Sequence, residues 1–373
     1  MKKKAVGKCL FIVMFVILLC LPMPLWAVAG KRLVGASYEN RTLAEKPEFR
    51  FSEFEEYPAA YESYLNDTLP FRDMLIQLES RVNYFGFRKA SNSNVIVGKE
   101  GWLFYNAEND GDPLAWYQGT NLFTQEELET IAERLTDTQR YLDERNVEFV
   151  LMIAPNKERV YAEMMPDYYG EPAEWYSALQ LVEYLRENTD IRVVYPYDKL
   201  METKKELPDI QLYHKTDTHW NYAGAYVASA MLLGELRIDM PPLNDDRIQI
   251  GEIPNASSDL ADMLHLKKDL AGTEMEYAIS GYDTHGVVNE KWEFGTEFIY
   301  HSEGADPRKL FVYRDSFCSA MSGVLASQFN ESYMIHNVCY SNSAFTEQDP
   351  DIFVLETVER YLRNLLLFDI EKG

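Results

Sequence analysis

Asp217 and His219 are the residues whose types and spacing point most directly to acid–base chemistry. They lie two positions apart in a chain of 373 residues that has only six histidines. A carboxylate beside an imidazole fixes which ring nitrogen carries the proton, and it stabilises the ring once the ring is charged. The pair therefore predicts a general base together with the group that orients it.

Ser316 is the best candidate for a nucleophile that this base would activate. It follows the apolar segment 310–313 and opens a helical pattern, so we expect its hydroxyl at the carboxyl end of a strand. The first N–H groups of a helix have no partner inside the helix, which makes them donors for an oxyanion. Asp and Ser are also common helix caps, so the Asp-Ser pair alone allows a purely structural interpretation.

A metal site is a further interpretation of the same stretch. His214, Asp217 and His219 form an H-x-x-D-x-H pattern of hard and borderline metal ligands. No further cluster of carboxylates or histidines is evident nearby in the sequence, and a metal triad would leave the strand-end serine without a role. We therefore predict no metal and no cofactor, and keep a metal-dependent hydrolase as an alternative.

Strands and helices alternate along most of the chain. Residues 147–155 form a near-continuous apolar run, which is typical of a strand covered on both faces in a parallel sheet. Thr124 and Glu127 have the spacing of a capping box, which predicts a helix up to residue 145. Further strands are predicted at 191–195, 310–314, 333–339 and 352–355, and further helices at 173–187, 221–235, 316–329 and 357–368. The pattern indicates an α/β fold with an open, mostly parallel sheet flanked by helices, whose ligand sites lie beyond the carboxyl ends of the strands.

Residues 1–29 have the composition of an export segment. Four lysines precede the apolar run Cys9–Leu21, and small residues follow at 27–29. The segment is predicted to be a signal peptide cleaved after Ala29 or an uncleaved membrane anchor. The lysines before the run and the acidic sequence after it match the positive-inside orientation. The body is therefore expected on the extracellular side of the cytoplasmic membrane, either secreted or N-terminally anchored.

The chain is strongly acidic. Residues 1–29 contain four lysines and no acidic residue, so the chain after them has 32 basic and 60 acidic residues, a formal charge of −28. This charge disfavours nucleic acid and anionic surfaces as partners. Beyond the export segment only Cys318 and Cys339 remain, and they are either one disulfide or two buried thiols.

Six short motifs occur in one order between about residues 36 and 368. They are Glu39-Asn40-Arg41 with Leu43 and Pro47, Gly98-Lys99-Glu100-Gly101-Trp102-Leu103-Phe104, Ala154-Pro155-Asn156-Lys157-Glu158-Arg159-Val160-Tyr161, Asp217-Thr218-His219-Trp220-Asn221 with Gly224, Arg314-Asp315-Ser316-Phe317, and Pro350-Asp351 with Glu359-Arg360. Together they resemble the AlgX/AlgJ-like and DHHW proteins, which are SGNH-hydrolase-like proteins tied to O-acetylation of bacterial exopolysaccharides.

The resemblance implies a Ser-His-Asp triad in which the Asp-x-His element precedes the serine. By position, Ser316 is the nucleophile, His219 the general base and Asp217 its orienter. Many relatives have Gly before Asp-Ser where this chain has Arg314, so the oxyanion donors stay open. The candidates for oxyanion or substrate binding are the N–H groups of Ser316 and Phe317, and the side chains of Asn156, Arg314 and Trp220.

The sequence pattern, together with the resemblance, divides the chain into three predicted regions. Residues 1–29 are the signal peptide or anchor, residues 30–90 a linker and N-terminal helical arm, and residues 91–373 an SGNH hydrolase-like catalytic domain. The least regular part, about 240–308, is predicted to be a β-containing insertion near the site.

The predicted function is an exported O-acetyltransferase or acetylesterase that acts on a cell-envelope or extracellular polysaccharide through an acyl-serine. The sequence leaves transfer and hydrolysis open, because water exclusion and acceptor position decide between them.

A membrane-bound O-acyltransferase is the partner that the resemblance implies as acyl supplier. From the charge of −28 we expect a neutral or cationic acceptor, such as a hexosamine polymer, rather than a uronate. The alternative from another class is a non-catalytic glycan-binding or scaffolding protein of the envelope.

Overall fold

The computed structural model describes residues 2–21, 24, 28, 44–68 and 72–372. The chain divides into two compact units. The first consists of residues 1–91 with 264–266, and the second of residues 92–263 with 267–373.

The described part of the first unit is mostly helical. It contains α1 (Lys2–Cys20), a 3₁₀ turn (Phe51–Glu53), α2 (Tyr57–Thr68), α3 (Arg72–Arg81) and a π-helical turn (Val82–Gly86). The helical arm predicted within residues 30–90 is confirmed by the two helices α2 and α3. Within the described ranges, no helix combines the length and apolarity needed to cross a membrane. The predicted cleavage point after Ala29 and the motif at 39–43 lie outside the described residues.

The second unit contains the remaining strands and helices. In chain order the strands are β1 (Val95–Val97), β2 (Leu103–Tyr105), β3 (Glu148–Ala154), β4 (Val193–Val194), β5 (Gln249–Pro254), β6 (Met275–Ser280), β7 (Val288–Trp292), β8 (Glu297–His301), β9 (Asp306–Arg314), β10 (Phe329–His336) and β11 (Ile352–Val358). The α-helices are α4 (Pro113–Gln118), α5 (Gln125–Asp143), α6 (Lys157–Val160), α7 (Ser177–Asn188), α8 (Tyr197–Glu206), α9 (Tyr222–Glu235), α10 (Asp259–Met263), α11 (Lys267–Leu270), α12 (Cys318–Ala326) and α13 (Asn342–Gln348). Shorter 3₁₀ segments cover Lys99–Gly101, Ala162–Met164, Asp167–Tyr169, Asn337–Cys339 and Glu359–Leu366.

A seven-stranded sheet forms the centre of this unit. Its strand order is β4-β3-β11-β9-β10-β8-β7. The first five strands are parallel to one another, whereas β8 and β7 are antiparallel to their neighbours. The predicted open, mostly parallel sheet is confirmed. Its parallel arrangement brings the ends of β3, β9 and β11 to the same edge.

The central strands are apolar because both of their faces are covered. In β3, Val150 and Met152 belong to a core cluster that includes residues of α9 and α12. Their neighbours Phe149 and Leu151 belong to a second cluster that includes residues of α5 and α7. Successive side chains of a strand point to opposite faces, so the continuous apolar run supplies both clusters.

Two helix starts follow from local sequence chemistry. The Thr124 side chain accepts from the Glu127 N–H, and Glu127 accepts from the Thr124 N–H, which is the predicted capping box of α5. The Asn221 side chain accepts from the N–H groups of Ala223 and Gly224 and so caps α9. A Cβ at Gly224 would lie 2.1 Å from the Leu212 carbonyl oxygen. Glycine therefore allows this helix to lie against the segment that leads to the candidate site.

The region around 240–308 differs from the predicted insertion in one respect. β5 and β6 form a separate two-stranded antiparallel sheet, as an insertion would, but β7 and β8 extend the central sheet next to β10. The outer edge of β10 needs a hydrogen-bonding partner, and the β-forming residues 297–301 supply it. Residues 359–366, predicted as an α-helix, form a 3₁₀ helix.

The two cysteines outside the export segment are not joined. Cys318 is buried in α12 and Cys339 is exposed, and both are free. The disulfide considered from the sequence is therefore not formed. The alternative of two buried thiols is correct for Cys318 only.

Candidate active site

Ser316 lies in the turn between β9 and α12, at the carboxyl end of its strand. The preceding Asp315 is buried and accepts from the Phe317 N–H at 2.8 Å and from the Val358 N–H at 2.6 Å. The Asp315 N–H donates to Glu356 at 2.9 Å. These bonds tie the turn to the end of β11, so the backbone that carries the Ser316 hydroxyl is fixed by a neighbouring strand.

The segment that carries Asp217 and His219 is held by a buried lysine. The Lys157 ammonium donates to three carbonyl oxygens, of Leu103 at 2.6 Å, Lys215 at 3.0 Å and Asp217 at 2.8 Å. Lys157 is 1% exposed, and burial lowers its pKa to about 8. A charged donor that serves three backbone acceptors fixes the segment where no regular strand would do so.

Glu274 holds the same segment by accepting hydrogen bonds from it. Its carboxylate accepts from the N–H groups of Lys215 and Thr216 and from the Thr216 hydroxyl. An isolated antiparallel bridge between Tyr213 and Trp220 closes the base of the segment. Between residues 215 and 217, backbone carbonyl oxygens therefore accept from Lys157, and backbone N–H groups donate to Glu274.

Ser316, His219 and Asp217 form one hydrogen-bonded series. His219 Nε2 lies 2.7 Å from Ser316 Oγ, and His219 Nδ1 lies 2.7 Å from Asp217 Oδ1. An ionised carboxylate only accepts hydrogen bonds, so the imidazole proton belongs on Nδ1, and Nε2 is left to accept the Ser316 O–H. The structure thus brings together the three residues that the sequence singled out, in the order required for general-base activation of the serine.

The ionisation of the pair follows from its surroundings. Burial acts to raise the pKa of Asp217, but the hydrogen bond and charge of His219 outweigh it and lower that pKa below its ordinary value. Burial acts to lower the pKa of His219, but the hydrogen bond and charge of Asp217, aided by Asp259, raise it above its ordinary value. The aspartate therefore stays charged, and the imidazole is stabilised when it carries a proton.

Asp259 is a second carboxylate at the pair, and it was not predicted from the sequence. Its Oδ1 accepts from the Thr218 N–H at 2.8 Å, its Oδ2 accepts from the Thr218 hydroxyl, and its own N–H donates to Asp217 at 2.9 Å. Its Oδ2 lies 3.8 Å from His219 Nδ1. Burial and the charge of Asp217 raise the pKa of Asp259. Asp259 is thus bonded to the 217–219 segment and adds negative charge beside the imidazole.

A cavity of about 530 Å³ opens at Ser316. Besides the three residues of the series, its wall contains the carboxylates Asp259 and Glu276 and the aromatic residues Trp292 and Phe294. Trp292 and Phe294 are each 52% exposed. None of the described residues that line it is a lysine or an arginine. The cavity is large enough for a small organic group, and its wall is acidic on one side and aromatic on another.

The predicted oxyanion donors are only partly available. The Phe317 N–H donates to Asp315, so it is already used. The Ser316 N–H makes no hydrogen bond within the described part of the chain, which leaves it free to donate to an oxyanion. Trp220 and the Phe317 ring line the cavity, but the Trp220 Nε1–H donates to the Phe317 carbonyl at 2.9 Å. Trp220 is therefore a wall and not a free donor.

Asn156 and Arg314 do not line this cavity. Arg314 is fully buried, donates to the Phe294 carbonyl at 2.9 Å and lies 4.0 Å from the centre of the Phe298 ring. Asn156 is buried, and its N–H donates to Glu359 at 2.9 Å. Both side chains were candidates for oxyanion or substrate contacts. The structure places them inside the protein, where Arg314 supports the turn before β8.

The metal-site pattern is not assembled as the sequence suggested. His214 Nε2 lies 3.1 Å from Glu276, and its Nδ1 lies 3.8 Å from Glu274. Among the described residues, the ligand-type atoms that lie within 4.8 Å of one another belong to Asp217, His219 and Asp259. That group does not include His214. Asp217 already bonds to His219 and to the Asp259 N–H, and Asp259 bonds to Thr218.

Comparison with known proteins shows which proteins this chain is similar to. Residues 95–277 match the family model described as "SGNH hydrolase-like domain, acetyltransferase AlgX". The match includes Asp217 and His219 and ends before Ser316. Over 213 residues the chain is 26% identical to the "Probable alginate O-acetylase AlgJ" of Pseudomonas aeruginosa, covering 56% of this chain and 50% of that protein. The chain therefore spans about half the length of this curated relative.

Solved structures share the fold. Bacillus cereus PatB1 with a sulfonyl adduct has a TM-score of 0.51 at 16% identity, covering 73% of this chain and 97% of that chain. A DHHW family protein from Eubacterium siraeum has a TM-score of 0.51 at 12% identity, covering 75% and 99%. The predicted resemblance to AlgX/AlgJ-like and DHHW proteins and the predicted SGNH hydrolase-like fold are confirmed.

Proposed function

We propose that this AlgX/AlgJ-like protein is an exported O-acetyltransferase that uses Ser316 to carry an acetyl group to a cell-envelope or extracellular polysaccharide. The observation that carries the proposal is the series of two 2.7 Å contacts from Ser316 through His219 to Asp217. The series faces a cavity rather than the core. A helix cap alone would not require an imidazole on the serine hydroxyl.

In the first half of the reaction, His219 Nε2 takes the proton of Ser316 Oγ while that oxygen attacks the acetyl carbonyl of the donor. Asp217 stabilises the imidazolium that forms. The Ser316 N–H is a donor for the oxyanion of the tetrahedral intermediate. The intermediate collapses as the leaving group departs with the proton from His219 Nε2, which leaves an acetyl-serine and a neutral imidazole.

In the second half, a sugar hydroxyl attacks the acetyl-serine. His219 Nε2 accepts the hydroxyl proton and then returns it to Ser316 Oγ as the new ester leaves. Water attacking in place of the sugar would give acetate, so hydrolysis is the competing reaction. Two observations favour transfer. The relative in Pseudomonas aeruginosa is named an O-acetylase, and exposed aromatic residues beside Ser316 offer a surface for a sugar ring.

Export and the acyl supply belong to the same proposal. The four lysines and the apolar run at the start of the chain support transfer across the cytoplasmic membrane. Acetyl donors of metabolism are made inside the cell, so an exported enzyme needs a partner that delivers the acetyl group. A membrane-bound O-acyltransferase is the partner that we propose.

The test uses the purified protein with an activated acetyl ester, such as para-nitrophenyl acetate, with and without neutral, amino-bearing and uronate oligosaccharides. Acetate release and acetylated saccharide are measured in parallel by mass spectrometry. We expect Ser316→Ala to abolish both products. Ser343→Ala is the matched control, because Ser343 is exposed and does not line this cavity.

The balance of products tests the choice between reactions. Saccharide acetylation that exceeds acetate release supports the transferase. Acetate alone, with every saccharide, would make the protein an esterase. Neither product from the wild type, together with saccharide binding, would contradict an enzymatic role and support the non-catalytic glycan-binding alternative.

A further inference from the structure

A second cavity of about 470 Å³ borders the one at Ser316. The two cavities share four lining residues, which are Tyr222, Trp292, Ser319 and Ala320. The second cavity therefore begins where the wall of the first one ends, on the side of the aromatic residues. A chain molecule with one unit at Ser316 would place a neighbouring unit there.

The second cavity is aromatic and uncharged. Its tyrosines are Tyr222, Tyr277, Tyr282 and Tyr300. Polar groups without charge are added by Asn289 and Ser322. None of the described residues that line it is acidic or basic. Apolar faces that carry hydroxyl and amide groups suit a ligand that has an apolar face and many hydroxyls, which is the chemistry of a pyranose ring.

Trp292 is held as a rigid wall between the two cavities. Its ring stacks on the buried ring of Phe298, with the centroids 5.1 Å apart and an angle of 4° between the planes. With one face packed in this way, the tryptophan remains 52% exposed. A ring that is already immobilised loses little conformational entropy when a ligand stacks on it.

The charges of the two cavities select among sugar polymers. Asp217, Asp259 and Glu276 line the first cavity, and neither cavity has a lysine or arginine among its described lining residues. A polyuronate has a carboxylate on every sugar. The carboxylates of such a polymer would meet walls that contain carboxylates or uncharged groups, with no lysine or arginine among the described lining residues to pair with them. An amino group, by contrast, would meet the carboxylate of Asp259, whose side chain is 40% exposed, while Glu276 already pairs with His214 and adds negative charge to the wall.

We propose that the second cavity is an acceptor subsite, which binds the sugar next to the one that is acetylated in a polymer without carboxylates, with amino sugars preferred. The inference rests on the proposed function for the role of the first cavity. It goes further because it gives this chain a different acceptor from the polymer in the name of its relative, an alginate O-acetylase. Alginate is a polymer of uronates, and the proposed acceptor has no carboxylates. The net charge of the chain suggested a neutral or cationic acceptor, and the residues of the cavity walls now account for that preference.

The experiment measures binding by isothermal titration calorimetry to the Ser316→Ala protein, which cannot turn over an acyl group. The probes are monomers, dimers and tetramers of glucosamine, N-acetylglucosamine and mannuronate. We expect affinity for both hexosamine series to rise by about tenfold from monomer to tetramer, since a second sugar is bound. The mannuronate tetramer should bind at least about tenfold more weakly than the glucosamine tetramer at low salt.

Asn289→Lys places a cation in the second cavity. Asn289 is exposed in β7, so the change should not disturb the fold. It is expected to remove the gain with length for glucosamine and to strengthen mannuronate binding. Thr284→Lys is the control for net charge, because Thr284 is exposed but does not line either cavity.

Acetyl-serine formation from para-nitrophenyl acetate is measured separately, in the protein with Ser316 intact. If no acetyl-serine forms but affinity still rises with oligosaccharide length, the subsite stands and the enzymatic proposal fails. If acetyl-serine forms but affinity does not depend on length, or mannuronate binds as tightly as glucosamine, the subsite is overturned. Equal effects of Asn289→Lys and Thr284→Lys would overturn it as well.

Discussion

Two regions contribute to the cavity at Ser316, and they hold their residues in different ways. One is at the carboxyl ends of the parallel strands, where the turn with Ser316 and the loop with His219 lie. The other is the antiparallel hairpin of β7 and β8. At the parallel ends, Lys157 and Asp315 are buried charged groups bonded to the backbone that carries His219 and Ser316. At the hairpin, Trp292 and Phe294 are half exposed and contribute aromatic surface.

Under the proposed function, the ends of the parallel strands serve the reaction and the hairpin serves recognition of the acceptor. Groups that exchange a proton must keep their distances to within a few tenths of an ångström, which needs a rigid surrounding shell. A surface that binds one sugar and not another depends on the shape and charge of its wall, which change with a few exposed side chains. We therefore expect changes at the parallel ends to act on rate or stability, and changes at the hairpin to act on the choice of acceptor.

Among changes to the groups that support Ser316, the largest effect is expected from Asp217→Asn. The amide cannot stabilise the imidazolium and presents its N–H where the carboxylate accepted, so His219 would be held in the wrong tautomer. We expect kcat for acetyl ester turnover to fall by about 10⁴-fold, with a thermal midpoint close to that of the wild type. A loss of less than tenfold would contradict the role given to Asp217.

Lys157→Met tests the rigidity of the parallel ends. The change removes the donor of three carbonyl oxygens and leaves them buried without a partner. We expect the free energy of unfolding to fall by about 3 kcal/mol, measured by urea unfolding. Lys199→Met is the control, because Lys199 pairs with Glu202 on the surface and should change stability by less than about 1 kcal/mol. Equal values for the two variants would show that Lys157 does not hold the segment.

A smaller effect is expected from Asp259→Asn, and it appears in the pH profile. Turnover requires neutral His219, whose pKa is raised by Asp217 and Asp259 against the opposing effect of burial. The rate of the wild type should therefore rise with pH through a pKa above the ordinary value for histidine. Removing the Asp259 charge lowers the His219 pKa, so the rising limb should move to lower pH, with kcat on the plateau reduced by about three- to tenfold.

Asp262→Asn is the matched control for this profile, since Asp262 lies in the same helix and pairs with Lys267 instead. Its rising limb should coincide with that of the wild type. An unshifted limb in Asp259→Asn would mean that Asp259 does not affect the charge of His219.

The features that the sequence predicted are those encoded locally. Thr124 and Glu127 specify the start of α5 through their own side chains, and the apolar run of β3 specifies a strand covered on both faces. Asp217 and His219 are two residues apart, so their contact depends on one short segment. Ser316 was identified because it follows an apolar strand, and it was paired with His219 as the nucleophile that the base would activate; the resemblance then implied the role of each residue.

The features that were missed depend on distant parts of the chain. Asp259 contacts Thr218 across 41 positions, from a region with no apolar periodicity. Lys157 binds backbone carbonyls, which leave no trace in residue types. The Phe317 N–H was expected to be free, but the same Asp315 that precedes the serine accepts from it. Predicting these contacts requires the tertiary structure and not only the pattern.

The most direct test of the account is to locate the acetyl group on the protein. The wild type, Ser316→Ala and Ser343→Ala are exposed briefly to para-nitrophenyl acetate, quenched in acid and analysed by intact-protein mass spectrometry with peptide mapping. We predict one acetyl group per molecule on the peptide that contains Ser316, present in the wild type and in Ser343→Ala and absent from Ser316→Ala. An acetyl group that persists in Ser316→Ala, or none in the wild type, would contradict Ser316 as the nucleophile.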